Sequence, residues 1–375
     1  MRYQKLAAAA LTLTAGVTFA TQASAETRGY VISWFATATN AADFKANCPE
    51  DRNKGRIEWT IRDLIAVGYT KEQATEIVAT AVDSVTLPPE IQNKMDTRAV
   101  VAGKPASVYN DPEAVADPNI ETVTGKYAYG FDLGGANRAN KFEDPDTHQL
   151  IDNQLWRAVG CTESFRAVPP VMPYPEELAW NTMVDSAPGW AIQITGNDLS
   201  KDGKVTITLN RTTQHPERDS NGAVMTNVSY IIDDSPRSHN VLQGEIKNGV
   251  LSITPAFVRL QGEMPYYSEI AIRDTQMRIK FEGENLVGYW GGYINWIDYV
   301  YMYTARPANG SDSIGLYHAL KKMADAKPDP KTGQNQEISA TFRMEAVPAY
   351  LTKLDGTVVA APGPGGGRAI NTSAR

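Results

Sequence analysis

Tyr289, Trp290, Tyr293, Trp296, Tyr299, Tyr301 and Tyr303 fall within fifteen positions, beside Gly288, Gly291 and Gly292. Rings with polar tips suit sugar rings or flat apolar ligands, and glycines let a ligand approach the backbone. On alternating strands Tyr289, Gly291 and Tyr293, and later Tyr299, Tyr301 and Tyr303, face one way. Packing of the same rings into a β core is the competing reading. Tyr289, Trp290, Tyr293 and Trp296 are the candidate ligand-binding residues. Asp298 lies in the same strip, and a second carboxylate across an aromatic cleft would complete the acid and base of a polymer hydrolase.

A polar run at 143–154 has a different chemistry. Asp144, Asp146 and Asp152, with the amide oxygens of Asn153 or Gln154, are hard oxygen ligands of the kind Ca²⁺ collects. Asp-x-Asp with a later Asp-Asn is similar to the loops of thrombospondin type 3 repeats. The likeness covers about a dozen residues, lacks the glycines that let such loops curl, and does not recur along the chain. The alternative is a helix start, with Asp152 capping a helix that carries Leu155, Trp156 and Val159 and ends at Gly160. The two readings are compatible.

Other catalytic signatures are missing from the sequence. It holds no G-x-S-x-G elbow, H-E-x-x-H pair, phosphate-binding loop or dinucleotide fingerprint. Four histidines, His148, His215, His239 and His318, leave little imidazole for a multi-histidine metal centre. His215, Glu217 and Asp219 belong to a polar stretch that reads as an exposed loop, and His318 is expected on the solvated side of its helix.

What holds these residues in place begins with an address. Arg2 and Lys5, an apolar run to Ala20 and the small residues Ala23 and Ala25 have the layout of an export leader, with cleavage expected after Ala25. No integral membrane segment is expected, because charges or prolines interrupt every later apolar stretch. The 375 residues carry 36 basic and 43 acidic side chains, a net charge of −7, and losing Arg2 and Lys5 makes the chain more acidic still. That balance disfavours nucleic acid. Cys48 and Cys161 are the only cysteines, and an even pair in a periplasmic or extracellular setting is expected to form a disulfide.

Two textures follow. Ile57, Ile61, Leu64 and Ile65 mark one helix, stopped by Gly68, and Thr70-Lys71-Glu72-Gln73 is a capping box that opens a second helix along Ala74, Ile77, Val78, Ala81 and Val82. From Trp190 onward, alternation such as Val205, Ile207 and Leu209 marks about eight strands, with Asn248-Gly249 as a hairpin turn. A late helix carries Leu316, Ala319, Leu320 and Met323, and a last strand alternates from Ile338 to Ala346. The fold class is α+β: a helix-containing N-terminal region (26–166), a Pro-rich connector (167–177) and a predominantly antiparallel β-sandwich or barrel domain (178–351), followed by a flexible tail (352–375). The function expected is that of an exported binding or accessory protein for a small-molecule, glycan or envelope-protein ligand, with a non-catalytic role favoured over an enzymatic one. Ca²⁺ is the one cofactor in view, and the carbohydrate hydrolase is the alternative.

Overall fold

The computed structural model describes residues 25–363 apart from 42, 52, 54, 82–85, 136–139, 169–170, 263–268 and 305–311. The expected leader lies outside them except for Ala25, as do Val82 and the tail beyond 363.

The alternating segments form one closed sheet. Its strands are β1 (Glu26–Thr37), β2 (Trp190–Gly196), β3 (Gly203–Arg211), β4 (Asn240–Lys247), β5 (Val250–Ile253), β6 (Glu269–Glu282), β7 (Asn285–Asn295) and β8 (Asn335–Thr352). Each pairs antiparallel with the next, and β8 returns to β1 through pairs such as Tyr30↔Pro348 and Phe35↔Met344. The β domain is therefore a barrel, and its first strand comes from the region before the Pro-rich connector. Closure leaves none of the eight with an unpaired edge.

Eight strands enclose a space that side chains can fill. Phe35 stacks on Phe342 at 4.9 Å between centroids and meets Trp190 and Trp290 edge-on at 5.4 and 5.7 Å. Ile192, Ile207, Leu251, Ile279, Leu286 and Met344 are buried with them. Tight turns fix the register. Asn248 and Gly249 both take positive φ (52° and 74°), which is what a two-residue hairpin of this hand requires, and they join Lys247 to Val250.

Six of the eight helices among the described residues lie between β1 and β2: α1 (Phe44–Asn47), α2 (Arg56–Ala66), α3 (Lys71–Thr80), α4 (Pro89–Asp96), α5 (Gln154–Val159) and α6 (Tyr174–Ser186). The other two, α7 (Trp296–Tyr299) and α8 (Ser313–Met323), lie between β7 and β8. The capping box at α3 is formed in both directions, Thr70 N–H to Gln73 Oε1 at 2.9 Å and Gln73 N–H to Thr70 Oγ1 at 3.2 Å. In α2 the buried face is Thr60, Asp63 and Leu64, so the expected apolar stripe is turned and Ile57 and Ile65 stay exposed. None of the described helices is long and apolar enough to cross a membrane.

Five expectations are corrected. The strand expected through Tyr299, Tyr301 and Tyr303 is helical, α7 followed by a π-helical turn over Val300–Thr304. Asn295 ends β7 by accepting the Ile297 N–H at 3.1 Å, which caps the helix. The cap of α5 is Asn153, whose Oδ1 accepts from Trp156 N–H at 3.0 Å, and not Asp152. His318 is not free in solvent, since its Nε2 lies 3.0 Å from the Val115 carbonyl. The Pro-rich stretch opens helix α6 at Tyr174, because proline is tolerated in a first turn and Glu176 and Glu177 favour a helix N-terminus. The tail expected from 352 carries Val358–Ala360, which pairs with Leu351 and Thr352 of β8.

Candidate functional site

Side chains alternate on a strand, so the partners of the core residues make the outer wall. One row across it runs Ala36, Arg343, Tyr289, Arg278 on β1, β8, β7 and β6, and the next runs Trp34, Glu345, Val287, Lys280. Trp34 reaches this wall through a bulge between Ile32 and Trp34, which shifts the register by one residue.

Two hollows of about 250 and 210 Å³ meet at Tyr289 and Arg343. The first is bounded by Trp34, the 37–41 run, Tyr129, Val168, Val171 and Pro173, and the second by Arg278, Lys280, Val287, Asp146 and Glu282. Thr39 Oγ1 donates to the Ala167 carbonyl at 2.6 Å and Asn40 Nδ2 to the Tyr127 carbonyl at 3.1 Å, which lace the strand end to the covering segments. Tyr129 stacks on Tyr289 at 4.9 Å with the rings 13° from parallel. The Arg343 guanidinium lies 4.7 Å from the centroid of Trp34 and donates to Glu345 at 2.6 Å. Burial, followed by the nearby acidic charges of Asp146 and Asp144, raises the Tyr129 phenol above its ordinary value. The Trp34 indole N–H is buried without an acceptor among the described residues.

The aromatic strip does not form one surface. Tyr289 lines the groove. Trp290 is fully buried in the barrel core, and Tyr293 is buried with Arg273 over its ring at 4.5 Å and its hydroxyl donating to Leu133 O at 3.4 Å. Trp296 is buried edge-on to Tyr317, its Nε1 donating to Asn335 O at 2.9 Å. The glycines serve chain packing: a Cβ on Gly291 would come within 2.3 Å of the Phe131 ring, and one on Gly288 within 2.2 Å of the Arg278 carbonyl. Asp298 faces Glu269 across a space of about 20 Å³, room for one water, and its carboxyl is raised by burial and then by Glu269.

In the acidic run the Asp144 and Asp152 carboxylates already have protein partners. Asp144 accepts from Arg278 Nη2 at 2.7 Å and from the N–H groups of Gly130, Asp146 and Thr147 at 2.9–3.1 Å. Burial pushes its carboxyl up, and the Arg278 guanidinium and these N–H groups more than offset that and hold it below the usual range. Asp152 accepts from Leu133 N–H at 2.9 Å and Lys141 Nζ at 3.2 Å. Asp146 lines the second hollow. Among the described residues no group of three or more His, Cys, Asp or Glu is arranged to hold a metal ion.

Comparison with protein-family models, with curated proteins and with solved structures finds no match.

Cys48 and Cys161 are joined as a disulfide. Arg166 donates to Gly160 O beside it at 2.6 Å and to Ala41 O at 2.8 Å, so the crosslink is tied to a residue that lines the groove. Trp34, Tyr129 and Arg343 were not singled out from the sequence. Arg343 had a visible signal, as a charged residue on the polar side of the last alternating strand. Trp34 had none, because its outward direction depends on the bulge.

Proposed function

We propose that this chain is an exported binding protein whose outer barrel wall holds a glycan. The observation that carries the reading is the groove itself, in which Trp34, Tyr129 and Tyr289 stand beside Arg343. Sugar rings present apolar C–H faces to aromatic rings and hydroxyls to polar groups, and Asn40 and Arg343 supply the latter along the walls. The two hollows together fall in the range of about 300–1,000 Å³ typical of small-molecule sites. The disulfide fits an oxidising compartment.

A binding role accounts for the groove better than hydrolysis does, because the space between Asp298 and Glu269 admits no sugar. The test is calorimetry of the purified, disulfide-intact protein against a glycan panel, with Trp34→Ala and Tyr289→Ala as variants. Binding lost in both variants, with melting curves retained, supports the reading. A panel in which nothing binds, or in which both variants bind as the parent does, overturns it.

A further inference from the structure

The cationic groups of the groove are not equally committed. Arg278 is held by the buried Asp144 carboxylate. Lys280 is exposed and has no ion-pair partner among the described residues. Arg343 gives one nitrogen, Nη2, to Glu345 and keeps the rest of its fork at the wall shared by the two hollows. A guanidinium fork with unspent donors matches a carboxylate in two-pronged fashion, and a neighbouring ammonium adds a point charge. Asp146 and Glu282 line the same hollow. They would repel a ligand bearing only anionic groups, and they are suitable acceptors for hydroxyls.

We infer that the groove selects acidic saccharides, with a uronate carboxylate held by Arg343 and Lys280, ring hydroxyls by Asp146 and Glu282, and ring faces by Trp34, Tyr129 and Tyr289. This rests on the glycan reading above and adds the charge of the sugar to it. Ring stacking alone would accept neutral and acidic chains alike, whereas the open Arg343 fork prefers the chain that carries the anion. Because Lys280 is solvent-exposed, its share is screened by salt, while the partly enclosed Arg343 contact is screened less.

The deciding experiment titrates the disulfide-intact protein with tetragalacturonate, tetraglucuronate and tetramannuronate, each beside its neutral methyl ester, and with the neutral glycans of the panel. At least one free acid should bind tenfold or more tighter than its own ester. Lys280→Gln and Arg343→Gln should each bring the acid down toward the ester, and 0.5 M NaCl should weaken the acid alone. Lys280→Gln is the decisive variant should Arg343→Gln, which strips Glu345 of its partner, fail to fold. Acid and ester binding equally, or neutral glycans binding while no acid does, overturns the charge selection and leaves the glycan reading standing. Absence of binding across acids, esters and neutral glycans overturns both.

Discussion

The fully buried carboxyl of Glu176, in the first turn of α6, accepts the backbone N–H of Thr37 at 2.8 Å and the Thr37 hydroxyl, at the point where β1 leaves the barrel. Tyr299 of α7 adds its hydroxyl at 3.3 Å. No ion pair reaches this carboxyl among the described residues, and burial raises it from the ordinary 4.5 to about 7 despite the bonds from Thr37 and Tyr299. One carboxyl thus joins three elements, and Thr37 and Pro173 on either side of it line the groove.

Between about pH 4.5 and 7 the folded chain holds this proton where the unfolded chain has released it, so Glu176 makes stability fall as pH rises through that window. The loss levels off above about pH 7, at about 3 kcal/mol for a shift of this size. Glu176→Gln keeps an acceptor for the Thr37 N–H and removes the titration. Urea unfolding at pH 5 and pH 8 should show a smaller decline in the variant. An equal decline in both proteins would refute the assignment.

Removal of the disulfide should reach the groove as well as the fold. In the chain-entropy model a loop of ~100 residues contributes up to about 4.7 kcal/mol. Cys48→Ser with Cys161→Ser should lower the melting temperature. It should also weaken ligand binding, because Arg166 ties the crosslinked segment to Ala41. Loss of thermal stability with unchanged affinity would separate the two.

Asp144→Ala strands Arg278 and frees three backbone N–H groups, and breaking such a buried pair costs about 3 kcal/mol. The wild-type carboxyl is held below its ordinary value, so its contribution is present at neutral pH and is lost as pH falls through the lowered value. Denaturant midpoints of wild type and variant should therefore converge in strong acid. A midpoint at pH 7 within error of wild type counts against the pair.

Gly291→Ala places a methyl where the Phe131 ring lies, and crowding of this kind costs about 1–3 kcal/mol. Phe131 and Tyr129 sit on one covering segment, so the Tyr129–Tyr289 stack should loosen along with it. Calorimetry should report weaker binding together with the loss of stability. A variant with full affinity would show that Tyr129 is positioned independently of Phe131.

The strands were legible wherever one face meets the core, because Val205, Ile207 and Leu209 or Phe342, Met344 and Ala346 can alternate for only one reason. The Thr70 capping box and the Asn248-Gly249 turn were equally legible, since each is complete within four residues. Barrel closure was not, for it depends on Tyr30 finding Pro348. Nor was the split of the aromatic strip, where consecutive Tyr289 and Trp290 point to opposite sides of one wall and chemistry follows the side. The groove draws on β1, β8 and the 127–131 segment, and no local window contains all three.

The β1–β8 seam joins residues more than 300 positions apart, with the six-helix insertion following β1 immediately. Loop-closure entropy for such a seam must be met before its pairing is gained, so barrel formation is intrinsically slow. A nascent chain emerging N-terminus first presents β1 long before β8 exists, and its free edge is open to pairing with other chains meanwhile. The last strand therefore governs when the molecule becomes safe from aggregation, and truncation within Asn335–Thr352 should yield insoluble protein however intact the rest of the sequence.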